Sequence, residues 1–142
     1  MATQITEHFS LEELADTSHK DLQEKNLEYA KQHKLIELCE LLEQVREVIG
    51  GPLIVSSGVR CPELNERVGG SKNSQHMRCE AADIVPRSIS VCDAFGKVHQ
   101  SSIIYDQLIL EHSGYRRWIH ISYSHNPRRE TLIYDKGRYT KV

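Results

Sequence analysis

The stretch Ser74-Gln75-His76-Met77-Arg78-Cys79-Glu80-Ala81-Ala82-Asp83 sets an imidazole and a carboxylate seven residues apart and runs directly into the apolar pair Ile84-Val85. One helix face presents two ligands through the short i, i+4 spacing. A gap of seven followed by a short β-branched run asks instead for a loop that enters a strand, with Asp83 near its opening. A third candidate, His120, lies in Trp118-Ile119-His120-Ile121-Ser122. Two His and one Asp match the count of a catalytic zinc site, where three protein ligands hold the ion and a fourth position is left for water or substrate. The spacing alone does not decide the matter. In a chain with eight His and twenty acidic residues, a His and an Asp seven apart also arise by chance.

Upstream, Phe9-Ser10-Leu11-Glu12-Glu13-Leu14 predicts a helix start in which Ser10 is the N-cap and Glu13 completes a capping box. Over 27–49, Leu35, Leu38, Leu42, Val45 and Ile49 recur at intervals of three and four, which predicts one long amphipathic helix ended by Gly50-Gly51. Pro52-Leu53-Ile54-Val55-Ser56 then reads as a short buried strand. Residues 58–75 read as loop with a helical turn over 62–67, where Pro62 is tolerated in the first turn. Downstream come a strand over 81–85, a helix over 88–99 with Ser88 as its cap, and strands over 104–111, 118–123 and 131–134. Helices first and an antiparallel run of strands late predict an α+β fold, with N-terminal helices packed on a small, mostly antiparallel sheet.

A chain of 142 residues, 39% apolar and 27% charged, is expected to form one domain over 1–142 and to act as a monomer. A net charge of -2 gives no reason to expect a nucleic-acid partner, which usually meets a basic surplus. The pairs Arg116-Arg117 and Arg128-Arg129 are short and read as solvated surface. The N-terminus lacks the basic stretch and apolar core of a secretory signal, and no apolar run is long enough for a span. The expectation is therefore a protein that is cytoplasmic as synthesised, with no stable membrane insertion. The four cysteines, Cys39, Cys61, Cys79 and Cys92, are expected to be reduced in that setting, although Cys61 and Cys79 flank the proposed site and a bridge between them stays open.

Ser57, Gly58 and Arg60, then Asn65, then Val68-Gly69-Gly70-Ser71, then Ser74, His76, Ala81 and Asp83, and finally Trp118 and His120 follow one another along the chain. This order of motifs resembles the M15 family of zinc D-alanyl-D-alanine peptidases, and within it the small M15A-type domains of bacteria and prophages, over residues 9–139. The resemblance implies a Hedgehog/DD-peptidase-like arrangement, a zinc ion held by His76, Asp83 and His120, and hydrolysis of peptide bonds in peptidoglycan stem peptides by a carboxypeptidase or endolysin endopeptidase. It further implies release to the wall by a prophage-type route. Arg60 is expected to bind substrate through its guanidinium fork, Ser74 to orient loop or substrate, and Trp118, with Tyr123, to form a substrate wall.

The chain departs from the family pattern in two places. Cys79 stands where the motif has Gly, a residue that tolerates backbone angles a side chain resists. Arg117 and Trp118 occupy the region where many members carry an acidic residue or a second His ahead of the last ligand, so the base is expected at Glu111, at the end of the strand Asp106-Gln107-Leu108-Ile109-Leu110-Glu111, with Asp106 and His112 behind it. These departures keep two other readings open: a catalytically impaired wall- or peptide-binding module of the same fold, and a Hedgehog-like domain in which zinc only stabilises. A carboxylate standing beside the metal favours the enzyme.

Overall fold

The computed structural model describes residues 2–142. The chain opens with a short helix α1 (Leu11–Ala15) that has the expected capping box: Ser10 Oγ accepts from the Glu13 N–H, and the Glu13 carboxylate accepts from the Ser10 N–H. A 3₁₀ turn (Lys20–Leu22) leads into α2 (Gln23–Lys31) and α3 (Ile36–Ile49). The single helix predicted over 27–49 is thus two, broken at 32–35. The two pieces bury different faces against different partners. In α2, the fully buried Asn26 donates to the carbonyls of Ala15 and Val59, both at 2.8 Å, and accepts from the Cys61 N–H at 2.7 Å. In α3, Leu38, Cys39, Leu42, Val45 and Ile49 enter the main core. Gly50 ends α3 in the left-handed region (φ 77°), its N–H bonded back to Arg46 and Glu47.

Six strands among the described residues form one sheet: β1 (Leu53–Ser57), β2 (Ala81–Pro86), β3 (Gln107–Ser113), β4 (Arg116–Ser122), β5 (Glu130–Asp135) and β6 (Arg138–Lys141), in the order β1-β2-β4-β3-β5-β6. Helix α4 (Pro62–Arg67) lies between β1 and β2, and α5 (Val91–His99) between β2 and β3. The cap of α5 is Ser90, whose Oγ accepts from the Asp93 N–H, and not Ser88. The fold is α+β as expected, but the sheet is mixed: β3 and β5 run parallel while the other pairs are antiparallel. Strand β6 was not foreseen. It returns through Lys136-Gly137, both with positive φ (51° and 79°), as a type I′ hairpin requires.

Side chains alternate across the sheet with period two. Ala82, Ile84, Leu108, Leu110, Ile119 and Ile121 face the helices and join the core of α3 and α5. The opposite face carries Asp83, His120, Trp118, Ile109, Glu111 and Tyr134, each set by its register partner. An irregularity between Val55 and Ser57 re-aims β1 so that Ser57 stands opposite Asp83. Among the described residues, no helix is long and apolar enough to cross a membrane.

Candidate metal centre

Asp83 on β2 and His120 on β4 are direct cross-strand partners, and the loop before β2 brings His76 to them. Asp83 Oδ1 lies 3.0 Å from His120 Nδ1 and 3.4 Å from His76 Nε2, and one ligand atom from each residue falls within 4.8 Å of the others. Bonds of about 2.0–2.1 Å to a tetrahedral zinc put neighbouring ligand atoms roughly 3.3–3.4 Å apart. The donor set and its spacing therefore fit zinc. His76 Nδ1 donates to the Gly58 carbonyl at 2.7 Å, which fixes the tautomer and leaves Nε2 free to coordinate. Gly58 is required there, since a Cβ would stand 2.4 Å from the Leu14 carbonyl oxygen.

The charges suit a cation. Burial disfavours the imidazolium of His76 and lowers its pKa despite the neighbouring Asp83. Burial opposes ionisation of Asp83 as well, yet the two imidazoles outweigh it and hold the carboxyl below its ordinary range. Neutral imidazole and ionised carboxylate are the forms that bind metal.

The His76 loop is tied down at several points. Ser74 Oγ accepts from the His76 N–H, Gln75 donates to Asp106 and to the Tyr123 carbonyl, and the Tyr29 hydroxyl donates to the Met77 carbonyl. Cys79 adopts φ 59°, the left-handed conformation for which a glycine would be suited. Its side chain is buried in the core with the thiol pushed up to about 12 by burial, so a thiolate ligand is disfavoured. All four cysteines are free, and no Cys61–Cys79 bridge forms.

Arg60 reaches the cluster from the β1–α4 connection. It donates to Ser57 Oγ (3.2 Å) and Asn65 Oδ1 (3.3 Å), and its Nη2 lies 3.6 Å from Asp83 Oδ2. Burial lowers its pKa, with Asp83 opposing. Gly70 packs against this support: a Cβ there would come within 2.1 Å of Asn65 Oδ1.

Glu111 lies within β3 and not at its end, because the strand continues to Ser113. It pairs with Trp118, whose indole N–H donates to Glu111 Oε2 at 2.8 Å, and it stands diagonal to His120 on the same face. Burial, then the charge of Asp83, raises its pKa. The reserve candidates are elsewhere engaged. Asp106 lines the cleft, but Arg128 grips its carboxylate through Nε (3.0 Å), Nη2 (2.8 Å) and the backbone N–H (3.0 Å), and Arg128 lowers its pKa. His112 alternates to the other face of β3 from Glu111.

Tyr123 does not share the face of His120. It falls one residue past β4, in the opposite phase, and packs on the core. Nor is the Arg128-Arg129 pair idle surface, since Arg129 donates to the carbonyls of His99, Ser101 and Ile103 and lies over the Tyr105 ring. Sequence reasoning also missed Gln75 and the Asp106–Arg128 pair as supports of the ligand loop. Their only sequence signal is their place beside His76 and beside a strand end.

The three ligands open onto a cleft of about 860 Å³ that Arg60, Ser74, Glu111 and Trp118 also line, so the residues singled out in the sequence converge on one place. A family model described as Peptidase M15 matches residues 7–122, a span that contains every one of them. No curated protein matches the chain.

Proposed function

Because the chain belongs to the peptidase M15 family, we propose that it is a zinc-dependent peptidase hydrolysing peptide bonds in peptidoglycan stem peptides, as a D-Ala-D-Ala-type carboxypeptidase or an endolysin endopeptidase. It acts as a monomeric single domain of Hedgehog/DD-peptidase-like arrangement and reaches the wall by prophage-type release. One observation carries this reading: His76, Asp83 and His120 bring one ligand atom each within 4.8 Å of the others, with a carboxylate, Glu111, on the adjoining strand.

Zinc bound by these ligands supplies Lewis acidity, polarising a carbonyl and lowering the pKa of water to about 7. Glu111 takes the proton of the attacking water and passes it to the leaving amine. Its burial suits the task, because a raised carboxyl pKa lies nearer the working pH. The Trp118 indole N–H holds one oxygen of this cleft-lining carboxylate. Arg60, fixed by Ser57 and Asn65, binds a backbone carbonyl or a terminal carboxylate of the substrate. Ser74 positions the His76 backbone.

Metal analysis of the purified protein, with amine release from purified peptidoglycan before and after chelation, tests the proposal. One zinc per chain and chelator-sensitive release are expected. Glu111→Gln is expected to lower the rate by about 10²–10⁴-fold while keeping the zinc. Bound zinc without amine release from any wall type would favour the binding module instead.

A further inference from the structure

The strand register continues the metal-bearing face well past the ligands. His120, Ile109, Leu132 and Lys141 stand in one row across β4, β3, β5 and β6, and Trp118, Glu111, Tyr134 and Tyr139 form the row beside it. The Tyr134 and Tyr139 rings lie 4.7 Å apart, and Tyr139 is 59% exposed. Beside Tyr139 lies a second depression of about 490 Å³. It is lined by the buried Ile109 and Leu132, by the exposed Tyr139, and by the polar Gln107, Glu130 and Lys141. Gln107 and Glu130 are hydrogen-bonded to each other at 2.7 Å. The depression shares Gln107, Ile109 and Tyr139 with the main cleft, so the two are continuous.

We infer that this depression is a sugar subsite, which takes a pyranose ring of the glycan strand while the attached peptide lies in the cleft. The inference rests on the peptidase reading for its substrate. A pyranose has an apolar C–H face and a polar edge of hydroxyls, which matches the apolar pair, the tyrosine and the donors and acceptors that line the depression. The alternatives fit worse. A bulky apolar side chain would strip water from Gln107, Glu130 and Lys141 and return no hydrogen bonds. A peptide backbone would lay amides on Ile109 and Leu132 without partners.

Distance adds a second argument. From His120 on β4 to Ile109 on β3 and Leu132 on β5 there are one and two strand steps of about 4.8 Å, or roughly 5–10 Å. An extended chain advances about 3.3–3.6 Å per residue, so about two to three residues separate a bond at the metal from a ring over Ile109 and Leu132. The matched family span ends at Ser122, before β5 and β6 begin, so Glu130, Leu132, Tyr139 and Lys141 of the depression lie outside it.

The test is titration of the zinc-loaded protein with two probes: the peptide-free disaccharide of N-acetylglucosamine and N-acetylmuramic acid, which holds no bond between amino acids, and a free four-residue stem peptide. Saturable disaccharide binding that shifts the Ile109 and Leu132 methyl resonances is expected in the wild-type protein. Tyr139→Ala should weaken disaccharide binding at least tenfold and Tyr139→Phe should keep it within twofold, while Lys141→Ala, at a residue that lines the depression and not the main cleft, should weaken disaccharide binding at least threefold and leave peptide binding within twofold. Unshifted methyls overturn the inference without recourse to any variant. So does equal weakening of both probes by Lys141→Ala. Amine release from wall material is scored apart, so failure of hydrolysis counts against the peptidase reading and leaves the disaccharide result standing.

Discussion

Cys79 holds φ at 59° in a core position, 2% exposed. The left-handed conformation costs an L-residue about 1–2 kcal/mol, while burial of a small apolar group returns about 0.8 kcal/mol per methylene. The two effects are of similar size, so the cysteine is tolerated at this turn. They separate in a pair of variants: Cys79→Gly relieves the backbone, whereas Cys79→Ala loses the sulfur and keeps the strain. The glycine variant should be more stable than the alanine variant by about 1 kcal/mol in denaturant unfolding. An alanine variant equal to or better than glycine would show that the turn carries no strain. At this scale the sequence was most informative. The three candidate ligands and Arg60 stand out in the sequence because each sits in a short local motif, and the structure brings them to one place. Glu111 stands out only as a carboxylate near a strand end, since its neighbour Trp118 and its place diagonal to His120 depend on a β3–β4 register that no local motif prints.

Between residues and the whole lie the connections that carry the ligand loop. Asp106 precedes β3, Arg128 precedes β5, and Gln75 precedes the first ligand, so one carboxylate joins three segments far apart in the chain. Arg128 lowers the Asp106 pKa in the folded protein. A depressed carboxyl contributes stability above its unfolded pKa, near 3.9, and loses it as pH falls through the lower folded value. Arg128→Gln removes the main cause of the depression, so acid unfolding followed by circular dichroism should move to higher pH. An unchanged acid midpoint would mean that the ion pair adds nothing to the fold. The misread elements share one physical cause. The break at 32–35 has no proline or glycine to announce it and arises because Asn26 and the α3 stripe face different partners. Strand β6 is polar and exposed along its length, so no apolar alternation marks it, although Lys136-Gly137 offered a turn signal.

For the molecule as a whole, His76, Asp83 and His120 join the loop after α4 to strands β2 and β4, so a metal bound there would be linked to folding. A ligand that binds only the native state stabilises it by RT ln(1 + [L]/Kd), about 2.7 kcal/mol at a hundredfold excess over Kd. The thermal midpoint should therefore rise with the logarithm of free zinc and fall back on chelation. Asp83→Ala should lose that dependence, and a midpoint indifferent to zinc in the wild-type protein would speak against a site at these residues. The α+β class was legible from element order, but the parallel β3–β5 pair was not, because strand direction depends on the path of 123–129 around Asp106.

The Gly58 carbonyl that orients His76 is held in turn by the N-terminal helices: the Val59 N–H bonds to the Leu14 carbonyl, and Asn26 spans the carbonyls of Ala15 and Val59. A region that lines no part of the main cleft thus sets the tilt of an imidazole. Damage to α1 or α2 would first be felt as a misaimed nitrogen and a weakened grip on the ion, with the sheet still intact, so lesions far from the chemistry would mimic the loss of a ligand.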